Sequence, residues 1–274
     1  MTTFFQQTIT GVSVGGLYAL LAVGYALIYS VFSFTNFAFG AVMMASAFAG
    51  YFASEAAGLL AGVLAALFVG VSLSMVVELS AYRPMRKKGA NRLFLMISAM
   101  GVNIVIENMA LQMFGAHLRK LSNKLITNSI KIGDLQVGIV DLLALIISCV
   151  SLSILWAFLY KTRSGITVRA SAIDTTTSGL MGVNVNRVSL IVFAISGITA
   201  AIAGMFFGMK YTVYPGMGAM SNKAFIASVI GGLGSLPGAV LGGFVLGILE
   251  TLVAGYISAT YRDLFSFGAM IIVL

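Results

Sequence analysis

Three glutamates pose the sharpest chemical question in this chain. Glu78, Glu107 and Glu250 lie in or near long apolar runs. A carboxylate in such a setting usually faces a bundle interior or a cavity and has a partner. Two chemistries meet that demand: a structural ion pair, or a path that receives a cationic group such as an ammonium. Glu78 stands five residues before Arg83, close enough to pair locally, whereas Glu107 and Glu250 leave both readings open. The rest of the reactive inventory is thin. Cys149 is the one cysteine and sits in an apolar run, so no disulfide forms within the chain. His117 is the one histidine, in a polar loop. No His/Cys cluster could hold a catalytic metal, and no Ser/His/Asp arrangement is available. No G-x-x-x-x-G-K-[ST] phosphate loop occurs. The expectation is a chain with no catalytic residue, no metal and no cofactor.

A second polar group is concentrated in residues 161–187, between the apolar runs 137–160 and 188–209. It carries Lys161, Arg163, Arg169 and Arg187 against Asp174. Membrane loops rich in Lys and Arg stay on the cytoplasmic side. Residues 170–181 have the composition of a short surface helix. Thr162 or Ser164 can cap its entry and Gly182 can end it. Asp174 is placed to pair with Arg169, five residues away, or with a basic group on a partner.

Composition sets the class that must position these residues. The chain has 274 residues, of which 59% are hydrophobic and 9% charged, with a formal net charge of +8. Mean hydropathy is +1.03. A soluble domain carries roughly 25% charged residues, so these values fit a multi-pass membrane protein with basic loops. Nucleic-acid binding, the other reading of a basic chain, requires a surface stripe, and here the basic residues are dispersed between apolar spans. The first 15 residues lack Lys and Arg, which argues against a cleaved signal peptide.

Apolar runs cover residues 9–32, 37–52, 57–81, 93–115, the two flanks of the basic stretch, 224–256, and 264 onward. The expected fold is all-α, a polytopic membrane helix bundle of about eight spans in a single domain, 1–274. The last run is still apolar at Leu274, as if the chain stopped inside a span. Residues 82–92 hold Arg83, Arg86, Lys87, Lys88 and Arg92 without an acid and belong inside. The stretch 161–187 lies two spans later, also inside. Residues 116–136 then face out despite Arg119, Lys120, Lys124 and Lys131 against Asp134, and so does the N-terminus.

Two stretches interrupt this pattern. Residues 231–238 are rich in Gly and contain Pro237, which disfavours a continuous helix, so 224–256 reads as a broken or re-entrant element. Residues 33–40 break two apolar runs near the start. Gly40-Ala41-Val42-Met43 resembles Gly238-Ala239-Val240-Leu241, a sign of a possible internal repeat with the pathway between its halves. Irregular backbone at membrane depth has to face protein or a water-filled cavity. Asn36, Phe39, Gly40, Gly232, Gly234, Ser235, Glu107 and Glu250 are therefore the candidate pathway residues. Gly238, Gly242, Gly243 and Gly247 would line one side of a helix and let a neighbour approach closely.

Four ordered motifs now carry a resemblance over nearly the whole chain. Thr162, Arg163, Gly165, Arg169, Ala170, Ala172 and Asp174, followed by Leu180 to Val185, resemble the cytoplasmic loop of branched-chain amino-acid ABC permeases of the Liv type. Asn36-Phe37-Ala38-Phe39-Gly40 is similar to that family's N-F-A-H-G element, with Phe39 in place of the usual His. Glu78 with Tyr82-Arg83-Pro84-Met85-Arg86 is similar to its E-x-x-x-Y-R-P-L-R element. Lys223-Ala224-Phe225, the glycines through Ser235, and Glu250 complete the set. The resemblance implies the membrane subunit of an importer in a bacterial or archaeal cytoplasmic membrane, forming half of a translocation pathway. Its implied partners are ATP-binding subunits, a second permease subunit, an external substrate-binding protein and membrane lipid, with no nucleic acid. The implied ATPase-coupling surface is Arg163, Gly165, Arg169, Ala170, Asp174, Gly179, Met181, Gly182 and Asn184. A permease of the same family for urea or other amides, and a self-contained secondary transporter or channel, are the alternatives.

Overall fold

The computed structural model describes residues 2–121, 129–132 and 135–273. Of the residues in the outward loop, Lys124 and Asp134 lie outside the described part, as does Leu274 at the end. The helices in chain order are α1 (Thr2–Phe32), α2 (Phe39–Ala57), α3 (Leu59–Val77), a π-helical turn Glu78–Tyr82 and α4 (Arg83–Lys87), then α5 (Arg92–Phe114). A hairpin of β1 (Ser129–Ile132) and β2 (Leu135–Gly138) comes next, antiparallel, with Ser129 opposite Gly138. The second half is α6 (Ile139–Lys161), α7 (Arg163–Ile173), α8 (Thr175–Leu180), α9 (Val185–Lys210), α10 (Met220–Ile230), α11 (Leu236–Tyr256) and α12 (Arg262–Val273). Among the described residues, six helices are long and apolar enough to cross a membrane: α1, α3 running on through α4, α5, α6, α9 and α11. The remaining apolar segments form α2, of 19 residues, and the shorter α10 and α12. The molecule is a polytopic helical bundle.

α1 is the axis of the bundle: Leu17, Ala19, Leu20, Leu21, Ala22 and Ala26 are wholly buried. It meets α11 through small residues, because without a hydrophobic drive between helices in lipid, close backbone contact must supply the attraction. A methyl on Gly15 would stand 2.9 Å from Phe244 Cα, and one on Gly247 or Gly243 would run into Gly15 or Ala19 backbone. Gly238 and Gly242 do not share that face as expected. They turn to Gly231 and Ala227 on the α10 side. The glycines of α11 thus serve two neighbours.

Two ends can be told apart. At one, Arg86 lies over the Phe32 ring at 4.4 Å, and Phe32, Arg83, Lys87, Thr175 and Asn186 surround one hollow. This basic end collects α4 and the stretch 161–187. At the other, Ser13 donates to the Asp141 carbonyl at 2.8 Å and Lys210 pairs with the Asp141 carboxylate.

The chain between α9 and α11 crosses from the second end to the basic end in pieces. Tyr211 turns the chain out of α9, and Arg119 and Val213 then exchange backbone bonds of 3.0 and 2.8 Å, with Tyr214 extended. A 3-10 turn, Pro215–Ala219, and the 11-residue α10 come after it. The expected break in 224–256 is present, but as the turn between α10 and α11, where Gly232 and Gly234 take φ of +91° and +90°. The irregular backbone inside the bundle lies elsewhere, at 33–38 and 211–219.

Candidate functional site

Both irregular stretches meet at one contact. A methyl on Gly40 would lie 2.5 Å from the Gly218 carbonyl oxygen, and one on Gly218 would lie 2.9 Å from the Gly40 carbonyl. Only glycine at both positions lets the start of α2 cross the 3-10 turn so closely. Tyr25 of α1 closes the contact from one side, its hydroxyl 3.1 Å from Ser221 Oγ. On the other side is a cleft of about 400 Å³ lined by Phe37, Asn103, Glu107, Gly218, Ser221 and Asn222, with Met100 and Ile104 at its α5 wall. Asn103 and Glu107 stand one helical turn apart, with Asn103 Nδ2 donating to Glu107 Oε2 at 3.4 Å. On the outer face of α5, Phe94, Ile97, Met100 and Ile104 are exposed at helical spacing.

The strand of backbone leading to Gly40 is held from below. Ser33 has a φ of +53°, a left-handed conformation that a serine adopts at a cost. Asn36 is buried. Its Oδ1 accepts from the Tyr82 hydroxyl at 2.5 Å and from Ala38 N at 3.1 Å. Tyr82 closes the π-helical turn. A π-turn adds a residue to one turn of helix and re-aims the helix beyond it. At the start of that turn, Glu78 is fully buried and receives Arg86 Nη1 at 2.9 Å and Ser189 Oγ at 2.6 Å, with Arg86 Nη2 closing a bidentate pair. Glu78 therefore has a local partner as its position suggested, but the partner is Arg86, one turn beyond Arg83.

The other pathway candidates are placed differently. Phe39 is buried against Gly24 and stacks edge-on to Tyr25 at 4.8 Å, so it supports the cleft from behind, and Phe37 is the ring that lines it. Gly232, Gly234 and Ser235 sit at the basic end of α1, with Gly234 beside Tyr29 and Ser30 and Ser235 capping α11 through Gly238 N at 3.3 Å. Glu250 is buried and paired with Lys223, and Arg262 Nε stands 3.4 Å away; Lys223 also meets Asp263 at 2.8 Å. That ion cluster ties α10, α11 and α12 together. Gly218, Ser221, Asn222 and Asn103 were not singled out from the sequence. The short helix after Pro215 and the Asn103–Glu107 spacing were the available signals.

At the basic end, 170–181 is two helices where one was expected. Thr162 caps α7, accepting Gly165 N at 3.0 Å. Asp174 ends α7 and caps α8, accepting Thr176 N at 2.8 Å and the Thr177 hydroxyl. These bonds, the Thr177 hydroxyl first and the backbone N–H groups after it, hold its carboxyl below the usual aspartate range. Asp174 is thus spent on the cap, and Arg169 lies instead over the Tyr160 ring at 4.6 Å. Gly165 lets α7 fold back against the Phe158 and Leu159 carbonyls, and Ala170 sits half-buried on α7. Gly182, at φ +89°, turns the chain, and Asn184 caps α9 through Arg187 N at 3.2 Å. Gly179 lies near Val185. The result is a hollow of about 370 Å³ lined by Arg163, Thr167, Met181, Gly182, Asn184 and Arg187. Leu180 and Met181 are 85% and 83% exposed beside it.

Comparison with known proteins places this architecture. BraD of Pseudomonas aeruginosa, a high-affinity branched-chain amino acid transport system permease protein, is 32% identical over 99% of this chain and 93% of its own length. LivH of Escherichia coli K12, of the same description, is 33% identical over 99% and 92%. The solved structure of PsaBC from Streptococcus pneumoniae in complex with Fab shares the fold at a TM-score of 0.51 and 14% identity, covering 98% of this chain and 90% of that one. The sequence model of the permease component of branched-chain amino acid transport systems matches residues 7–274, and the chain belongs to that family.

Proposed function

We propose that this chain is the membrane-spanning subunit of an ABC importer for branched-chain amino acids in a bacterial or archaeal cytoplasmic membrane. Residues 1–274 act as one permease domain with the basic end in the cytoplasm. The observation that carries the reading is the cleft at the Gly40–Gly218 contact. It joins the two irregular stretches of backbone to an apolar wall and one carboxylate, Glu107. An apolar wall suits an aliphatic side chain, and Glu107 suits the solute's ammonium. The exposed face of α5 beside the cleft seats a second permease subunit, which completes the path. A soluble binding protein delivers solute at the far end.

The hollow at the basic end receives a segment of the ATP-binding subunit. Exposed Leu180 and Met181 supply apolar contact there, and Arg163 and Arg187 supply charge-assisted hydrogen bonds. Gly165, Arg169, Ala170, Asp174, Gly179, Gly182 and Asn184 shape or flank that surface. The chain does no chemistry of its own.

Glu107→Gln keeps the shape of the cleft and removes its charge. In the reconstituted complex, leucine uptake is expected to fall about tenfold or more, the scale of a lost charge-assisted contact. ATP hydrolysis stimulated by loaded binding protein is expected to persist. Unchanged leucine uptake would remove Glu107 from the path. Urea uptake without leucine uptake in the parental complex would replace the substrate.

A further inference from the structure

We propose that a groove between α6 and α11 at the basic end holds an acyl chain of an anionic phospholipid, with its headgroup on Arg169. The groove has a volume of about 370 Å³. Val23, Leu152, Leu155, Trp156, Leu236 and Leu241 are among its lining residues. From Leu152 to Tyr160, α6 advances about 12 Å at 1.5 Å per residue. That is close to one leaflet's share of a hydrocarbon core about 30 Å thick. The groove therefore begins at the interface and ends near the bilayer middle, the depth of a lipid tail.

Its mouth is built for a headgroup. Trp156 and Tyr160 stack at 5.1 Å and are 56% and 45% exposed, the amphipathic rings expected at a membrane interface. The Arg169 guanidinium lies over Tyr160 and makes no ion pair among the described residues. Asp174, the nearest acid along the chain, is engaged in capping α8. Ile166 and Ile173, one turn to either side of Arg169, are 55% and 90% exposed and share its face. An apolar face interrupted by an arginine with no acid beside it is the pattern of a helix lying on an anionic lipid surface. A phosphate accepts both in-plane hydrogen bonds of a guanidinium, which a zwitterionic headgroup offers with a competing cation beside it.

The test uses a convenience of the sequence, since Trp156 is the one tryptophan. The full chain is reconstituted in phosphatidylcholine vesicles holding a fixed fraction of phosphatidylglycerol, with bromine on the acyl chains of either one lipid or the other. Brominated phosphatidylglycerol is expected to quench Trp156 more strongly at equal fraction, reflecting a preference of about fivefold for the charged headgroup. Arg169→Gln should bring the two lipids to equality. Val240→Phe, which fills the groove, should lower quenching by the anionic lipid. Arg163→Gln, whose side chain lines the separate hollow, should leave the preference in place. Soluble glycerol phosphate should not restore the fluorescence. Equal quenching by both lipids in the parental chain would overturn the proposal and leave ordinary annular lipid. Loss of preference in Arg163→Gln as large as in Arg169→Gln would overturn it too, in favour of a diffuse basic field. Displacement by glycerol phosphate would also overturn it, by showing a headgroup site without a tail.

Discussion

Glu78 shows how a single buried charge is made tolerable. Its carboxylate is fully buried, yet both oxygens are satisfied by Arg86 and one also by Ser189. The pair links α3, α4 and α9, and Arg86 reaches the end of α1 through Phe32. Desolvating two charges offsets much of their attraction, so the pair adds modestly to stability when intact. Removing one partner is another matter, because the survivor is left buried and unpaired. Arg86→Leu is expected to destabilise the bundle by about 3–5 kcal/mol, read as a lower unfolding temperature in detergent. Glu78→Leu with Arg86→Leu should recover a large part of that loss. If the double variant is no more stable than Arg86→Leu alone, the two side chains are not coupled. Asn36 depends on the same region, since its partner Tyr82 closes the π-turn that Glu78 opens.

Elements are defined here by their ends more than by their middles. The basic stretch folds as α7 and α8 because Asp174 takes an extended conformation, φ −155°, and turns its side chain onto Thr176 and Thr177. The cap carries its own pH dependence. The carboxyl is held low in the folded state, so its contribution is present above the ordinary aspartate range and is lost as pH falls through the lowered value. Amide exchange at Thr176 and Thr177, corrected for the intrinsic rate, is expected to lose protection only under strongly acid conditions. Asp174→Asn should abolish that pH dependence while keeping part of the cap. An unchanged acid transition in Asp174→Asn would assign the titration to another group.

At the scale of the whole molecule, polarity orders the two ends. Arg83, Arg86, Lys87, Lys161, Arg163, Arg169 and Arg187 belong to one end, and the Asp141–Lys210 pair with the Arg119–Val213 bridge marks the other. Such a bias sets membrane orientation. Single cysteines at the exposed Thr176 and His117, in a Cys149→Ser background, are expected to react with an impermeant thiol reagent from opposite sides. Thr176→Cys should label only from the cytoplasmic side. Reaction of both from the same side would refute the assigned topology.

Much of this was legible from composition alone. A long apolar run is stable in lipid as a helix, because every backbone group then bonds within its own segment. That demand located α3, α5, α6 and α9 to within a few residues and α1 by its far end, and the charged loops between them gather at one end of the bundle. Of the two entry caps the sequence offered, Thr162 and Ser164, it is Thr162 that caps, and Gly182 turns the chain as expected; both depend on neighbours a few residues away. What the sequence left open was decided by contacts between distant segments. Glycine is compatible with a break, a turn or a close crossing, and only packing distinguishes them. Gly232 and Gly234 proved to be turn residues at the end of α1, Gly243 and Gly247 proved to be crossing residues, and Gly40 met Gly218, some way along the chain, at the cleft. The three glutamates, alike in their apolar surroundings, were separated the same way. Glu78 found Arg86, Glu250 found Lys223, and Glu107 was left facing a cleft. Burial in lipid is a property of a segment and is written in its residues, whereas the partner of a buried charge is a property of the fold.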